Sequence, residues 1–208
     1  MLRIILFWFK MKVAGATRKV LSPNFDKEGI KSILKGYWSR YKLLRRDIGK
    51  QPTLGGTVMV HLASMSTTFY NELTERGISD AKTTQYFYDI AWKVYKIMGG
   101  FSWDLTRLKY QNNPKRLAYA TELFRMFPFN SPSYKWKNIP QPDDVVRFNC
   151  EKCPVAEYFK DKGLSEFCVN TWCALDFPLA KMWNAKLERT NSIAGGAKVC
   201  DFKWIAND

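Results

Sequence analysis

The sequence predicts an α+β protein, in which a helical N-terminal two-thirds packs on a small antiparallel sheet formed largely by a C-terminal hairpin. Apolar residues recur at helical spacing before residue 127, whereas short β-prone runs gather after residue 144. Helices followed by strands are typical of this class. The chain has 208 residues, 46% of them hydrophobic, which is enough to bury a core without disulfides or metals. We expect a basic and apolar segment at residues 1–20 and a single domain at residues 21–208.

The first twelve residues, MLRIILFWFKMK, combine an apolar run with basic side chains. The run from Ile4 to Phe9 is too short to span a bilayer, and Lys10 and Lys12 interrupt the apolar core that a secretory signal needs. The triplet Ala14-Gly15-Ala16 resembles a cleavage site and keeps a signal peptide as an alternative. We favour a strand or helix that packs on the domain. A further alternative is an interfacial anchor, with basic residues beside an apolar face in the lipid boundary.

Three amphipathic helices are predicted next. Ser22-Pro23 has the composition of an N-cap followed by a proline in the first turn, and the helix after it combines an apolar stripe with a basic outer face. A second helix runs from about Val58 to Arg76 and carries the only histidine, His61, on its apolar stripe. Such a position is more typical of a packed core residue than of a catalyst. The third helix begins at a Ser79 cap and ends at Gly99-Gly100.

The second half of the chain changes character. Asn113-Pro114 opens a helix that continues to about Met126. The stretch from Phe127 to Asp144 includes Pro128, Pro132, Pro140 and Pro142, which predicts an irregular connection, either a lid or a packed loop.

Short strands and helices follow this connection. Val145–Phe148 is β-prone, and Pro154–Lys162 and Ser165–Asp176 are predicted as helices. Leu187–Ser192 and Lys198–Ile205, joined by a turn at Ala194–Ala197, form the predicted hairpin. In its second strand three side chains share one face because strand side chains alternate. They are Cys200, Phe202 and Trp204.

The net charge of +14 is concentrated at the N-terminal end. Residues 1–50 hold 13 Lys/Arg against 3 Asp/Glu, residues 51–149 hold 12 against 8, and residues 150–208 hold 8 against 8. The sequence carries no helix-turn-helix, zinc-finger or RNA-binding aromatic signature, which argues against a nucleic-acid partner. An electrostatic partner would therefore dock at the N-terminal end, and a peripheral contact with an anionic membrane is the candidate.

Five cysteines occur in the last third of the chain, Cys150, Cys153, Cys168, Cys173 and Cys200. Without a convincing export signal we expect reduced thiols and a cytoplasmic location. The Cys150-x2-Cys153 pair resembles half of a zinc site, with Cys168-x4-Cys173 as a loosely spaced second half. We favour packed thiols and expect no cofactor, with zinc as the alternative.

Cys173 and Asp176 lie three residues apart in a predicted helix and therefore face the same way. A thiol and a carboxylate on one face suit a nucleophile and a proton acceptor. The carboxylate alone would raise the pKa of the thiol, so a cation is needed to offset it. Arg189 in the neighbouring hairpin is the candidate, and its guanidinium also suits a substrate carboxylate. On spacing alone, a packed thiol beside a solvated carboxylate remains the alternative.

These residues resemble the L-2-amino-thiazoline-4-carboxylic acid hydrolase family. The likeness covers roughly Cys150 to Trp204, and residues 57–100 resemble the front half of that family less specifically. The segments that carry it are Cys173-x2-Asp176, Glu188-Arg189-Thr190, Ala194-Gly195-Gly196 and Cys200-Asp201-Phe202. The Gly…Cys-Asp-Phe ending is also similar to the vinyl-4-reductase type of ligand-binding domain, a mixed helical and antiparallel-sheet fold.

The resemblance implies hydrolytic opening of a C–N bond in a small sulfur- and nitrogen-containing ring acid, with a product like N-carbamoyl-cysteine. Arg189 would hold the substrate carboxylate. Cys173, or else Cys200, would attack the ring amidine carbon, or a water would do so with Asp176 as general base. Thr190 or a backbone N–H would stabilise the developing charge. The implied catalytic residues are Cys173, Asp176, Cys200 and Asp201, and the implied substrate-binding residues are Arg189 and Thr190.

Two other functions remain open on the sequence. A vinyl-4-reductase-type sensor would bind a small molecule in an aromatic pocket without catalysis. A metal-dependent enzyme of a specialised biosynthetic pathway would use cysteines and carboxylates as ligands. The expected partner in each case is a small molecule, and a homo-oligomer is compatible with all three.

Overall fold

Helices cover one face of a four-stranded antiparallel sheet in a computed structural model that describes residues 1–141 and 144–207. Residues 142, 143 and 208 lie outside the described residues, and Pro142 of the predicted irregular connection is among them. The long helices precede the strands that follow residue 144, which confirms the predicted α+β class.

The long helices have amphipathic sequences and polar caps. Their bounds are α1 Leu2–Leu21, α2 Lys27–Leu44, α3 Leu54–Thr74, α4 Asp80–Thr106 and α5 Asn113–Met126. The start of α5 at Asn113-Pro114 and its end at Met126 agree with the prediction. The caps of α2 to α5 each accept a hydrogen bond from the backbone N–H three residues further on, which satisfies a donor that the helix leaves free. They are Asp26, Thr53, Ser79 and Asn112.

The N-terminal segment is a helix, one of the two structures expected for it, and it packs on α3 and α4. Its buried side chains include Phe9, Thr17 and Leu21. The prediction that Ser22-Pro23 begins a helix was wrong: Ser22 follows the end of α1, and Asp26 caps α2 instead. In the described part of the chain, no helix is both long and apolar enough to cross a bilayer.

The prediction that Gly99-Gly100 ends the third helix was also wrong, because α4 continues to Thr106. A Cβ at Gly99 would overlap Leu179 Cδ1 and Met182 Cε. The carbonyl of Gly99 also accepts a hydrogen bond from Trp183 Nε1 at 2.9 Å. Gly99 therefore allows a close approach between helices, and it does not act as a helix terminator.

We expect Gly99→Ala to lower the free energy of unfolding by about 1–3 kcal/mol through overpacking, although alanine favours helix. Gly100→Ala is the matched control, since its Cβ would meet open space. The free energy of unfolding of Gly100→Ala should rise by roughly 0.5–1 kcal/mol, because alanine favours helix more than glycine does. Urea unfolding of both variants checks the pair, and equal effects at the two positions would contradict the packing role of Gly99.

The sheet has the strand order β1-β2-β4-β3, and each neighbouring pair is antiparallel. The strands are β1 Lys135–Ile139, β2 Val145–Lys152, β3 Ala185–Glu188 and β4 Cys200–Ala206. The predicted hairpin is present as β3 and β4, with residues 189–199 forming a longer connection than a tight turn. The prediction that residues 127–144 form an irregular connection was wrong for β1, which lies within them. Pro132 and Pro140 flank this edge strand without interrupting it, so the prolines of the stretch did not exclude a strand.

Short helices complete the fold after β2. They are α6 Pro154–Asp161, α7 Ser165–Asn170, a 3₁₀ turn at Cys173–Leu175 and α8 Asp176–Met182. The prediction of one helix over Ser165–Asp176 was wrong, because the chain departs from α-helical geometry at Thr171. The Thr171 hydroxyl donates to the Phe167 carbonyl at 2.5 Å, a local bond that competes with helix continuation. This break lets Cys173 and Asp176 begin separate turns.

Candidate active site

A cavity of about 190 Å³ lies between the inner face of the sheet and the helices. Its wall is predominantly apolar and aromatic, and α1, α3, α4 and α5 all contribute side chains to it. An apolar cavity of about 150 Å³ accommodates benzene, so this one has room for about one ring with short substituents. All five cysteines belong to the wall, although they are spread over 51 positions from Cys150 to Cys200.

The sheet forms an aromatic wall that also carries two thiols. Cys150 of β2 lies opposite Cys200 of β4, and the next inward pair is Phe148 with Phe202, whose rings stack at 5.3 Å. Cys200, Phe202 and Trp204 all line the cavity, which confirms that they share one face. Burial raises the pKa of Cys150 well above its usual value and raises the pKa of Cys200 to about 11. Both thiols are therefore protonated near neutral pH.

Cys173 on the helical wall has the opposite electrostatic setting. The neighbouring Cys168 thiol lowers the pKa of Cys173 most, and the positive charge of Arg189 lowers it further against the effects of burial and Asp176. The same contact raises the pKa of Cys168, which keeps its proton. Among the five cysteines, all within the described residues, Cys173 is the one whose pKa is lowered. It is also the thiol best suited to act as a nucleophile.

Asp176 and Arg189 form a buried ion pair beside this thiol. Arg189 Nη1 donates to Asp176 Oδ2 at 2.6 Å, and Nη2 donates to the Cys173 carbonyl at 2.8 Å. The Arg189 side chain is 7% exposed, and the Asp176 side chain is 17% exposed. The Tyr95 hydroxyl donates to Asp176 Oδ1 at 3.3 Å. Burial raises the pKa of Asp176 although Arg189 opposes the shift, so its carboxylate is a stronger base than an exposed one.

Arg189 lies behind the cavity wall, whereas Asp176 and Cys173 line it. Its guanidinium packs on the rings of Phe177 and Phe202, each about 5.2 Å from its carbon. The predicted cation is thus beside Cys173 and Asp176, where it offsets the carboxylate charge. Its two hydrogen bonds, to Asp176 and to the Cys173 carbonyl, hold the Cys173 turn in place. Arg189 therefore supports the residues that line the cavity.

Thr190 and Asp201 are brought together, but they do not line the cavity. Asp201 accepts hydrogen bonds from the backbone N–H groups of Thr190 and Asn191 and from both of their side chains. Slight burial would raise the pKa of Asp201, yet these hydrogen bonds lower it to about 2. The carboxylate therefore closes the loop that follows β3, at a place away from the thiols.

Residues 58–204 match the family described as L-2-amino-thiazoline-4-carboxylic acid hydrolase, well over half of the chain. The chain belongs to this family. The hydrolase-family match begins in α3 and ends in β4, so it includes every cysteine of the cavity and leaves α1 and α2 outside. A search of curated proteins found no match.

The chain of this hydrolase-family member is also similar to solved H-NOX structures. Fe(II) unliganded H-NOX from K. algicida is 11% identical, covers 94% of this chain and 96% of its own, and has a TM-score of 0.42. An H-NOX protein from S. oneidensis in the Fe(II)NO state is 13% identical, with 93% and 99% coverage and a TM-score of 0.41. At this level of identity and superposition, the likeness does not indicate a ligand or an activity.

His61 and the paired cysteines take structural positions in this hydrolase-family member. His61 Nδ1 lies 3.0 Å from the Tyr41 hydroxyl, and His61 does not line the cavity, so it forms no pair with a cavity thiol. Cys153 caps α6 by accepting from Ala156 N at 3.5 Å. Across residues 1–141 and 144–207, no three His, Cys, Asp or Glu side chains are arranged to hold a metal ion.

Several polar groups of the cavity wall were missed by sequence reasoning. Tyr134 is 2% exposed, and its hydroxyl has no hydrogen-bond partner among the described residues. The same is true of the Nε1 of Trp204, which is 4% exposed. Arg125 also lines the wall, with its guanidinium 4.4 Å from the Phe148 ring. The only sequence signal for Tyr134 was the aromatic content of the proline-rich connection, and Arg125 resembled any basic residue near a helix end.

Proposed function

We propose that this chain is a hydrolase that opens the ring of a small aminothiazoline carboxylate-like acid, with Cys173 as the nucleophile. The observation that carries the proposal is the Cys173 thiol on the cavity wall, whose pKa the Cys168 thiol and Arg189 lower. Membership of a family named for such a hydrolase supports the same reaction class. A thiol with a lowered pKa beside a one-ring cavity suits covalent catalysis on a small amidine.

The proposed reaction has two stages. The Cys173 thiolate adds to the amidine carbon between ring sulfur and ring nitrogen, and the ring sulfur then leaves and takes up a proton. Water adds to the same carbon, Cys173 leaves as thiolate, and loss of a proton yields the N-carbamoyl-cysteine product. One water is consumed, and no electrons are exchanged. Because the carbamoyl carbon stays on nitrogen, the ring bond broken here is C–S. Breaking the C–N bond would leave the carbamoyl group on sulfur.

Asp176 and Tyr95 supply proton transfer in this scheme. Asp176 lines the cavity beside Cys173 and accepts a hydrogen bond from Tyr95. As a carboxylate with a raised pKa, it would take the proton from the incoming water. The same position would let Asp176 activate water directly if the thiolate did not attack. Arg189 is a positioning residue here, because it holds Asp176 and the Cys173 carbonyl from behind the wall.

We assign the substrate carboxylate to Arg125 in place of Arg189. Arg125 lines the cavity and donates to two uncharged acceptors, Asn138 Oδ1 at 2.5 Å and the Thr121 carbonyl at 3.4 Å. Burial lowers the pKa of Arg125, because nearby negative charge does not fully offset the cost of burying its cation. A substrate carboxylate would supply that charge. The free donors of Tyr134 and Trp204 would orient the rest of the ligand.

A sensor that binds a small molecule without turnover is the second candidate. The apolar and aromatic character of the wall favours it, since such walls bind apolar rings by burial alone. In that case the thiols would be packing groups. The two candidates make opposite predictions about product formation.

Incubation of the purified protein with 2-aminothiazoline-4-carboxylate tests the proposal. We expect a product heavier by one water together with a new free thiol, which marks C–S cleavage. Addition of a chelator should leave the rate unchanged, and a lost rate would point to the metal-dependent alternative. Saturable quenching of tryptophan fluorescence without any product would support the sensor and contradict the hydrolase.

A further inference from the structure

The outer face of α1 carries large apolar side chains that nothing in the described chain covers. Ile4, Phe7 and Met11 are 74%, 64% and 56% exposed. Their spacing places them on one stripe of the helix. Phe9 and Val13 lie on the opposite side and line the cavity. This helix is therefore apolar on two faces, and only the inner one has a partner in the fold.

Basic side chains border this exposed stripe on both sides. At 100° per residue, Arg3 and Lys10 lie along one edge, and Lys12 and Lys19 lie along the other. Residues 1–25 contain no Asp or Glu. Trp8 lies at the border, with Lys12 Nζ 5.5 Å from its ring. Cations and a tryptophan beside an apolar stripe are the arrangement that an interfacial helix presents to lipid.

The neighbouring helix α2 extends the basic surface. Lys10 Nζ lies 4.9 Å from the ring of Trp38, which places the middle of α2 beside α1. Lys35 and Lys42 are exposed, and their spacing puts them on the same face of α2 as Trp38. The charge concentrated in residues 1–50 thus lies partly around the apolar stripe.

We propose that the outer face of α1 docks on an anionic lipid membrane, with the helix lying in the plane of the interface. The apolar stripe would enter the acyl boundary while the flanking Lys and Arg side chains meet lipid headgroups. The inner face keeps α1 packed on α3 and α4, so docking requires no unfolding. This contact is independent of the proposed hydrolysis, although Phe9 and Val13 place the cavity directly beneath the docking helix.

A second copy of the chain fits this face poorly. A two-fold interface would bring the stripe of one copy against that of the other. The basic borders of the two stripes would then face each other without any carboxylate on α1 to pair with them. Like charges in contact disfavour such an interface, whereas anionic headgroups complement it.

Vesicle co-sedimentation of the full chain tests the proposal. We expect binding to phosphatidylcholine vesicles with about one-third phosphatidylserine to be at least about tenfold tighter than to phosphatidylcholine alone. The variant Ile4→Ser/Phe7→Ser/Met11→Ser should bind about 100-fold more weakly, because its apolar anchors are lost. The variant Arg3→Glu/Lys12→Glu should bind anionic vesicles about tenfold or more weakly, and its binding should depend less on salt concentration.

Leu108→Ser/Met126→Ser is the matched control, since these residues are 86% and 62% exposed outside α1. Its vesicle binding should equal that of the original chain, and circular dichroism should show that every variant remains folded. Absence of binding to anionic vesicles by the original chain would overturn the proposal, as would an equal loss in the control variant. A dimer that Ile4→Ser separates, without vesicle binding, would assign the face to self-association instead.

Discussion

Replacing Cys173 with serine is expected to lower kcat/KM for ring opening at least about 1,000-fold. A serine hydroxyl stays protonated near neutral pH and is a weaker nucleophile than a thiolate. The Cys168 thiol and Arg189 lower the pKa of Cys173, so a larger fraction of it is thiolate near neutral pH than for an ordinary cysteine. Steady-state kinetics on the aminothiazoline substrate measures the loss. Iodoacetamide followed by peptide mapping should modify Cys173 first.

Cys200→Ser is the control for this prediction, since Cys200 lines the same cavity but has a pKa raised to about 11. We expect its kcat/KM to stay within about threefold of the original. The pH dependence separates the two thiols, because activity that needs the Cys173 thiolate falls only below the lowered pKa. Activity that needed the Cys200 thiolate would keep rising towards pH 11. Full turnover in both serine variants would exclude the thiolate route and leave water activated by Asp176.

Replacing Arg189 with methionine is expected to lower the free energy of unfolding by about 3–5 kcal/mol, because it leaves the buried Asp176 carboxylate without its partner. It should also raise the pKa of Cys173, since the charge that lowers it is removed. Urea unfolding measures the first effect. The rate of iodoacetamide alkylation at several pH values measures the second, which a purely structural role would not change.

Two further variants show whether the ion pair is responsible. Arg107→Met removes an exposed arginine 4.0 Å from Asp104, and we expect a loss below about 1 kcal/mol. Adding Asp176→Asn to Arg189→Met should recover part of the stability, because no buried charge then remains unpaired. If the double variant is no more stable than Arg189→Met alone, the unpaired charge of Asp176 does not account for the loss.

The chemistry of the candidate site was only partly accessible from the sequence. The spacing of Cys173 and Asp176 predicted that they share a surface, and the need for a cation led to Arg189. The role of Cys168 was not accessible, because its effect on Cys173 depends on a contact between two helical turns that a single-helix prediction kept apart. Thr190 and Asp201 were selected together with these residues, yet the loop after β3 directs them to each other and away from the cavity.

The sequence by itself determined the periodic elements of this protein: the amphipathic helices, the alternating face of Cys200, Phe202 and Trp204, and the basic N-terminal end. These are local patterns, since periodicity and charge depend only on neighbouring residues. Only the tertiary structure decided that Gly99 serves packing, that a strand lies among the prolines and that five cysteines meet at one cavity. Each of these outcomes depends on which distant segment packs against the residue in question. That contact decides the space available to a side chain, its burial and its electrostatic partners.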